Sequence, residues 1–303
     1  MSGAVGGSAR RLGIIGLGEA GGAIASGLHE ARGEPIPGFD LRNDDPSFSQ
    51  RIADQGVAPC GSIAELTRQC DVLVCLTSAK VAVDTAVAVA AHLGVSDIYV
   101  DLNSASPGTK AAAAEIVERA GARFIDGAVM AAVPPKRHRV PILLSGAGAG
   151  AAAATLTRLG LNVEAIGDTP GQASAVKMLR SSVLKGVNAL VLECLQAAAA
   201  YGVTDRVLAS IDNSMPFDDW RALANYTLSR ETVHGQRRAE ELRQAAATIR
   251  AAGVEPLVAE AGARRIQAFM DEPAGKPLAA SMRDSDGGAD LVARLTDLVL
   301  AGD

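Results

Sequence analysis

The strongest constraint on the fold comes within the first two dozen residues. Residues 11–16 (RLGIIG) form a short apolar run of strand character, and a helical pattern starts at Glu19. Between them, Gly16-Leu17-Gly18-Glu19-Ala20-Gly21 spells GxGxxG. In a strand–turn–helix context the first glycine permits the tight turn. The second lets the backbone approach a pyrophosphate, and the third lets helix and strand pack closely. The helix N-terminus then offers N–H groups and a positive dipole end to phosphates. A second strand-like run, IPGFD, ends in Asp40, at the distance where an acid meets the adenosine ribose. Asp40 favours NAD, because a carboxylate accepts from a 2′-hydroxyl and repels a 2′-phosphate. Arg42, two residues on, is placed to pair with such a phosphate, so NADP stays open.

The rest of the first half repeats the alternation. Residues 46–55 read as a helix, and Ser62-Ile63-Ala64-Glu65 is a capping box opening another. The run at 71–77 (DVLVCLT) has the continuous apolarity of a parallel strand covered on both faces. A helix at 79–93, a strand at 97–102, a helix opened by Pro107, and strands at 122–129, 140–146 and 162–167 follow. Such alternation predicts an α/β fold, a Rossmann-type doubly wound, mostly parallel sheet. Strand patterns stop after the turn-rich junction Gly167-Asp168-Thr169-Pro170. Helices are expected at 171–201, 216–229, 231–253, 256–271 and 286–301. The expected domains are therefore a dinucleotide-binding one at 1–167, with residues 1–10 flexible, and an all-α one at 168–303.

Composition narrows the function class. The net charge is -5 and the pI is near 5.5, with no long basic patch, which argues against nucleic acid as a partner. No stretch reaches the roughly 20 apolar residues of a membrane span, since Asp84 and His92 interrupt the best candidate. The opening MSGAVGGSARR lacks the pattern of an export signal, so a cytoplasmic protein is expected. Cys60, Cys70, Cys75 and Cys194 show neither CxxC spacing nor a histidine cluster, which predicts reduced thiols and no metal site.

The long helix from Gly171 carries few charges. Lys177, Ser181 and Asn188 fall on one stripe of it at about 100° per residue. A lysine on an otherwise apolar helix is a candidate proton carrier, since burial lowers its pKa towards neutrality. Spacing alone equally allows a lysine snorkelling at a domain edge. Trp220 and Tyr226 read as core, Tyr201 as helix-end packing, and Glu193 as a packing or capping residue within the long helix.

The segments GLGEAG (16–21), DLNSASP (101–107), DGAV (126–129) and GQASAVKM (171–178), in this order, resemble the β-hydroxyacid dehydrogenase superfamily. Its best-known members are the 6-phosphogluconate and 3-hydroxyisobutyrate dehydrogenases. HGQRRAEEL (234–242) and Gly253-Val254-Glu255-Pro256 resemble a branch with its own helical C-terminal domain. The resemblance implies that Lys177 accepts the substrate's hydroxyl proton while hydride leaves for the nicotinamide. It places Asn103 and Ser104 beside nicotinamide and substrate and Thr77 on the cofactor, and it makes Gly171 and Gly186 frame the catalytic helix.

The departures from the family pattern are specific. Ser181 replaces the usual asparagine four residues after the lysine, and Leu184 stands where decarboxylating members have a glutamate. Met130-Ala131-Ala132 replaces the serine and glycines that hold a substrate carboxylate. Decarboxylation of 6-phosphogluconate is therefore not expected. His234, Arg237 and Arg238, one turn apart, are candidates for holding a substrate anion, or else a solvated face paired with Glu240 and Glu241. Met130 and the loop Lys136–Arg139 are weaker candidates; packing and solvation explain them more simply.

Together these features predict an NAD(P)-dependent dehydrogenase acting on a small hydroxy acid or related alcohol, homodimeric through its C-terminal helical domain. The alternatives are an imine reductase, in which an aspartate or tyrosine usually replaces the lysine, and a non-catalytic dinucleotide-binding protein.

Overall fold

The computed structural model describes residues 10–200, 202–214, 219–251, 255–272, 275–278 and 290–301. The expectations for residues 1–9, Tyr201 and Gly253-Val254, and those for the side chains of Glu193, Cys194 and Trp220, lie outside the described residues. The chain divides into two compact units between Lys177 and Met178.

The first unit holds β1 (Leu12–Ile15), α1 (Glu19–Arg32), β2 (Ile36–Phe39), α2 (Pro46–Asp54), β3 (Val57–Pro59), α3 (Ile63–Gln69), β4 (Val72–Cys75), α4 (Ala82–Ala90), β5 (Ile98–Asp101), α5 (Pro107–Arg119), β6 (Arg123–Val129), β7 (Ile142–Ser145), α6 (Ala149–Arg158) and β8 (Val163–Gly167). The strands form one sheet in the order β3-β2-β1-β4-β5-β6-β7-β8. The chain winds outward from β1 through β3, then returns to lay β4 against the other side of β1. The carboxyl ends of β1 and β4 thus flank the switch point where open α/β sheets bind ligands.

Pairing is parallel except between β6 and β7. The reason is the connection between them. Residues 130–141 contain a single 3₁₀ turn, Arg137–Arg139, and no crossover helix, so the chain re-enters the sheet from the end at which it left. β3 was not expected from the sequence, because three residues carry too little pattern to register.

Alternate residues of the strands feed two cores. Ile14, Val72, Val74, Val100 and Ile125 pack with Ile24 and Leu28 of α1 on one face. Ile15, Leu73, Cys75, Tyr99 and Phe124 pack with Leu66 and Val117 on the other. Both faces are covered, which is why these strands read as unbroken apolar runs. Truncating Leu73, which is fully buried, costs about 2–5 kcal/mol by the usual behaviour of core leucines. In the capping box Ser62 accepts from the Glu65 N–H at 3.1 Å, and Glu65 reaches back to the Gly61 N–H at 2.7 Å.

The helix α7 (Gln172–Ala200) spans the boundary between the units. The second unit continues with α8 (Thr204–Ser214), α9 (Trp220–Ala251), α10 (Leu257–Asp271) and α11 (Leu291–Leu300). Two expectations are corrected here. A single α9 replaces the two helices expected to meet near residue 230, since no proline or glycine interrupts the chain there. α8 was missed altogether. Alanine-rich faces of α7, α9 and α10 meet around Ala189, Ala239, Leu242, Ala245, Ala263 and Ile266. Gly235 lets the helices close up: a Cβ there would stand 2.6 Å from the Met270 sulfur. Tyr226, expected in the core, is 56% exposed. Among the described residues no helix is long and apolar enough to cross a membrane.

Candidate active site

The three motif glycines have separate jobs, and the structure tells them apart. Gly16 has φ +87°, and a Cβ on it would meet the Leu76 carbonyl oxygen at 2.6 Å. A Cβ on Gly21 would lie 1.9 Å from the Gly16 carbonyl oxygen, so α1 can seat on β1 only with glycine there. A Cβ on Gly18 would meet nothing within 4 Å. The fold therefore needs Gly16 and Gly21, whereas Gly18 borders open space. Gly18 is also the N-cap of α1 and makes no side-chain cap, so the first-turn N–H groups are left to a ligand. Exposed Glu19 and half-buried Ala20 complete the turn, and Leu17 is buried. This geometry fits the pyrophosphate of a dinucleotide, with Gly16–Gly21 as its cradle.

Asp40 ends β2 beside this turn. Its Oδ2 accepts from the Leu17 N–H at 2.8 Å. Arg42 grips the same carboxylate at 2.8 Å through Nε and 2.9 Å through a terminal nitrogen. Partial burial pushes the Asp40 carboxyl up, but bonds from Arg42 and Leu17 outweigh it and hold the group below the ordinary carboxylate range. The Arg42 guanidinium also lies 4.1 Å from the centroid of the Phe48 ring. Arg42 is thus an ordered partner of Asp40 rather than a free loop cation.

The carboxyl ends of β4 and β5 carry the next residues. The Thr77 hydroxyl donates to Asn103 Oδ1 at 3.3 Å, and Asn103 Nδ2 donates to Cys75 Sγ at 3.4 Å. Burial pushes the Cys75 thiol up, so it stays protonated and serves as a neutral acceptor. The Asn103 N–H is fixed by Asp101 Oδ1 at 2.8 Å. Next to it, the Ser104 hydroxyl accepts from Lys177 Nζ at 2.5 Å. Thr77, Asn103, Ser104 and Lys177 therefore form one polar line, starting where the Gly16 turn packs on Leu76 and Thr77. Ser181 follows one turn along α7, half-buried.

The other predicted substrate residues separate. Arg238 is buried, and its Nε donates to Glu231 Oε1 at 2.9 Å. Arg237 is exposed and pairs with Glu241 at 3.0 Å. Two neighbouring arginines thus point at different carboxylates and do not converge on one anion; His234 is half-buried on the same helix. Arg237 is exposed to solvent, whereas Arg238 is not. Asn188, expected on the lysine stripe, presents its amide oxygen to the Arg238 guanidinium and donates to the Leu184 carbonyl at 3.2 Å. Met130 is half-buried at the end of β6, its N–H bonded to the Pro141 carbonyl at 2.8 Å. The loop 136–139 is not merely solvated. Arg137 pairs with Glu30 of α1 at 2.5 and 2.8 Å, and His138 packs over Gly27.

The model of the NAD binding domain of 6-phosphogluconate dehydrogenase matches residues 11–167. The chain belongs to that family. A domain of unknown function, DUF1932, matches residues 198–269, in the helical unit. A conserved hypothetical protein from Sinorhizobium meliloti 1021 shares 37% identity over 96% of this chain and 97% of its own, with a TM-score of 0.77. The mitochondrial 3-hydroxyisobutyrate dehydrogenase of Drosophila melanogaster is 26% identical over 219 residues, covering 71% of this chain and 66% of that protein. The Mycobacterium tuberculosis 3-hydroxyisobutyrate dehydrogenase, solved with L-serine, shares the fold at 17% identity, with a TM-score of 0.69 over 96% of this chain and 99% of that one. The β-hydroxyacid dehydrogenase resemblance, the fold class and the NAD cofactor therefore all hold.

Membership of this NAD-binding family leaves one group of residues unaccounted for. Asp101, Lys110 and Asp126 are all fully buried beneath the polar line. Asp101 and Asp126 lie in the DLNSASP and DGAV segments, where the family resemblance gave neither a role. Asp101 ends β5, Asp126 lies in direct register with it in the middle of β6, and a lone lysine interrupts the alanine-rich helix that joins the two strands.

Proposed function

We propose that the protein is an NAD(P)-dependent dehydrogenase acting on a small hydroxy acid or related alcohol, with Lys177 as the general acid–base. The contact between Lys177 Nζ and Ser104 Oγ, in line with Asn103 and Thr77 at the switch point of an NAD-binding sheet, carries this reading. NAD, when bound, supplies the hydride acceptor. Lys177 takes the hydroxyl proton onto Nζ in oxidation and returns it in reduction, while Ser104 orients the amine and the substrate hydroxyl. Asn103, held by Asp101 and Cys75, fixes the nicotinamide side of the site, and Ser181 offers a hydroxyl one turn on.

The relative named 3-hydroxyisobutyrate dehydrogenase supports hydroxy-acid chemistry. Met130-Ala131-Ala132 supports a substrate whose acid group is held differently from that of ordinary members, and Leu184 supports a reaction without decarboxylation. A homodimer formed by the helical unit is part of this reading. Leu179, Val183, Leu184 and Val187 are exposed along α7, a surface that a second subunit would cover. Buried free thiols at Cys60, Cys70 and Cys75 suit a reducing cytoplasm.

The test is formation of reduced nicotinamide from NAD or NADP across a panel of hydroxy acids and alcohols, with Lys177→Ala in parallel. The expected loss in kcat is about 10²–10⁴-fold, the usual contribution of a positioned acid–base, with NADH affinity retained. Wild-type turnover unaffected by Lys177→Ala would refute the assignment. Reduction of cyclic imines without turnover of any alcohol would move the protein to the imine reductases.

A further inference from the structure

We propose that Asp126, together with Lys110 and Ser174, is a positioning unit that sets the Lys177–Ser104 pair from beneath. The proposal rests on the reading of Lys177 as the proton carrier, and everything it uses lies between residues 101 and 177.

Asp126 faces the first turn of α7 from the neighbouring strand. Its Oδ2 accepts from the N–H groups of Gly171 and Ser174, both at 3.0 Å, and from the Ser145 hydroxyl at 3.0 Å. Its Oδ1 accepts from the Ser174 hydroxyl at 2.6 Å. The Ser145 oxygen in turn accepts from the Ala173 N–H at 3.0 Å. The orphan donors that open the helix are thus satisfied by a side chain of β6 and its β7 neighbour. A cap within the local sequence would leave α7 free to shift, whereas this one locks its start to the sheet. Lys177 stands three residues after Ser174, so its amine is carried on the turn that Asp126 holds.

The other half of the pair is fixed by the same cluster. Lys110 Nζ lies 3.2 Å from Asp101 Oδ1 and 3.4 Å from Asp126 Oδ1, and it donates to the Asp101 carbonyl at 2.5 Å. Asp101 Oδ1 receives the Asn103 N–H, one residue before Ser104. Asp101 and Asp126 are register partners, and strands stand about 4.8 Å apart, so two like charges meet there. Lys110 lies between them. The N-terminus of α7 supplies about half a positive charge more, which is where the remaining negative charge of Asp126 is directed. Asp101, Lys110, Asp126 and Ser145 are 0% exposed and Ser174 2%, so water screens none of the interactions among them. Gly171 closes the arrangement. Its φ is +101°, and it sits so near Pro107 that a Cβ on it would stand 3.1 Å from the proline Cβ. This seats the start of α7 on the helix that bears Lys110.

A unit that only stabilises the sheet and one that sets the catalytic pair differ in what they do to Lys177. Three variants, Ser174→Ala, Asp126→Asn and Lys110→Met, are compared with wild type for kcat, NADH affinity and the reactivity of Lys177. Reactivity is read as the pH profile of competitive amine labelling, resolved by mass spectrometry, with exposed Lys80 as the internal standard. Ser174→Ala removes one hydroxyl and keeps the backbone bonds, so it decides the matter if the other two fail to fold. Expected are a fall in kcat of about tenfold for Ser174→Ala and about 10²-fold for Asp126→Asn, as an ångström of misplacement produces, with NADH affinity within about twofold. The Lys177 labelling profile should move towards that of Lys80, whose own profile stays put. A Lys177 profile and kcat unchanged in folded Ser174→Ala would overturn the proposal, as would a loss of NADH affinity equal to the loss of kcat. If wild type turns over no alcohol, the dehydrogenase reading fails by itself, and the labelling profile still decides whether this unit positions Lys177.

Discussion

Substituting Gly18 and Gly21 separately by alanine should split cofactor binding from folding. At Gly18 the backbone has φ -69° and ψ -159°, which alanine adopts freely, and the added methyl meets nothing within 4 Å. Alanine is a poorer N-cap than glycine, by about 0.5–1 kcal/mol, but it also narrows the unfolded ensemble by about 0.4–1 kcal/mol. The two effects nearly cancel. Folding stability of Gly18→Ala should therefore match wild type, with Tm moving by no more than about 2–4 °C, the shift for 1 kcal/mol in a chain of this class. The methyl does, however, fill the space over which a pyrophosphate must approach the α1 N–H groups. Losing one charge-assisted hydrogen bond costs about 1.5–3 kcal/mol, which is about 10–150-fold in Kd.

Gly21→Ala should do the reverse. Its methyl would lie 1.9 Å from the Gly16 carbonyl oxygen, so α1 must back away from β1 by about an ångström. Overpacking of that kind costs about 1–3 kcal/mol or more, and Tm should fall by several degrees. The assays are NADH fluorescence titration and thermal unfolding of both variants. NADH binding by Gly18→Ala within twofold of wild type, at unchanged Tm, would refute the placement of the pyrophosphate over Gly18.

Other predictions follow from particular contacts. Arg42→Ala removes the cation beside Asp40 and leaves a bare carboxylate there, so the affinity for NADP relative to NAD should fall by about tenfold, from loss of one charge-assisted bond; parallel titrations measure the ratio. Arg238→Met should destabilise the protein by about 3–5 kcal/mol at pH 7.5, because Glu231 is left buried without its partner. Burial already pushes the Glu231 carboxyl up, Arg238 opposes that, and its removal raises the group further. A raised carboxyl binds its proton more readily folded than unfolded, so the deficit of Arg238→Met should shrink as pH falls towards 5; urea melts at both pH values check the sign. Burial pushes the Cys70 thiol up to about 12 and raises Cys60 and Cys75 as well. Peptides bearing these three cysteines should stay unalkylated by iodoacetamide at pH 8 until the protein is unfolded.

Much of the first unit could be read from the chain because its instructions are local. The GxGxxG turn, the apolar runs at 71–77 and 97–102, Pro107 at the first turn of α5 and Ser62 at the start of α3 each fix conformation through neighbours within a few residues. The three-residue β3 escaped because it carries too little pattern, and the helical unit was read less well because amphipathic periodicity alone marks helix ends poorly. The join between Arg230 and Glu231 is one example: nothing breaks the helix there, and α9 runs straight through.

Which polar groups meet is decided by different physics. The sequence determined the dinucleotide turn, the acid at Asp40, the order of strands and helices and the presence of a lysine early in α7, all of which follow from backbone sterics and hydrophobic periodicity. It did not determine that Lys177 meets Ser104, 73 residues away, or that Asp126 caps a helix 45 residues downstream. Nor did it determine that Arg237 and Arg238, adjacent in the chain, part to separate carboxylates. A polar side chain states only that it requires a partner once buried, and the packing of strands and helices supplies that partner.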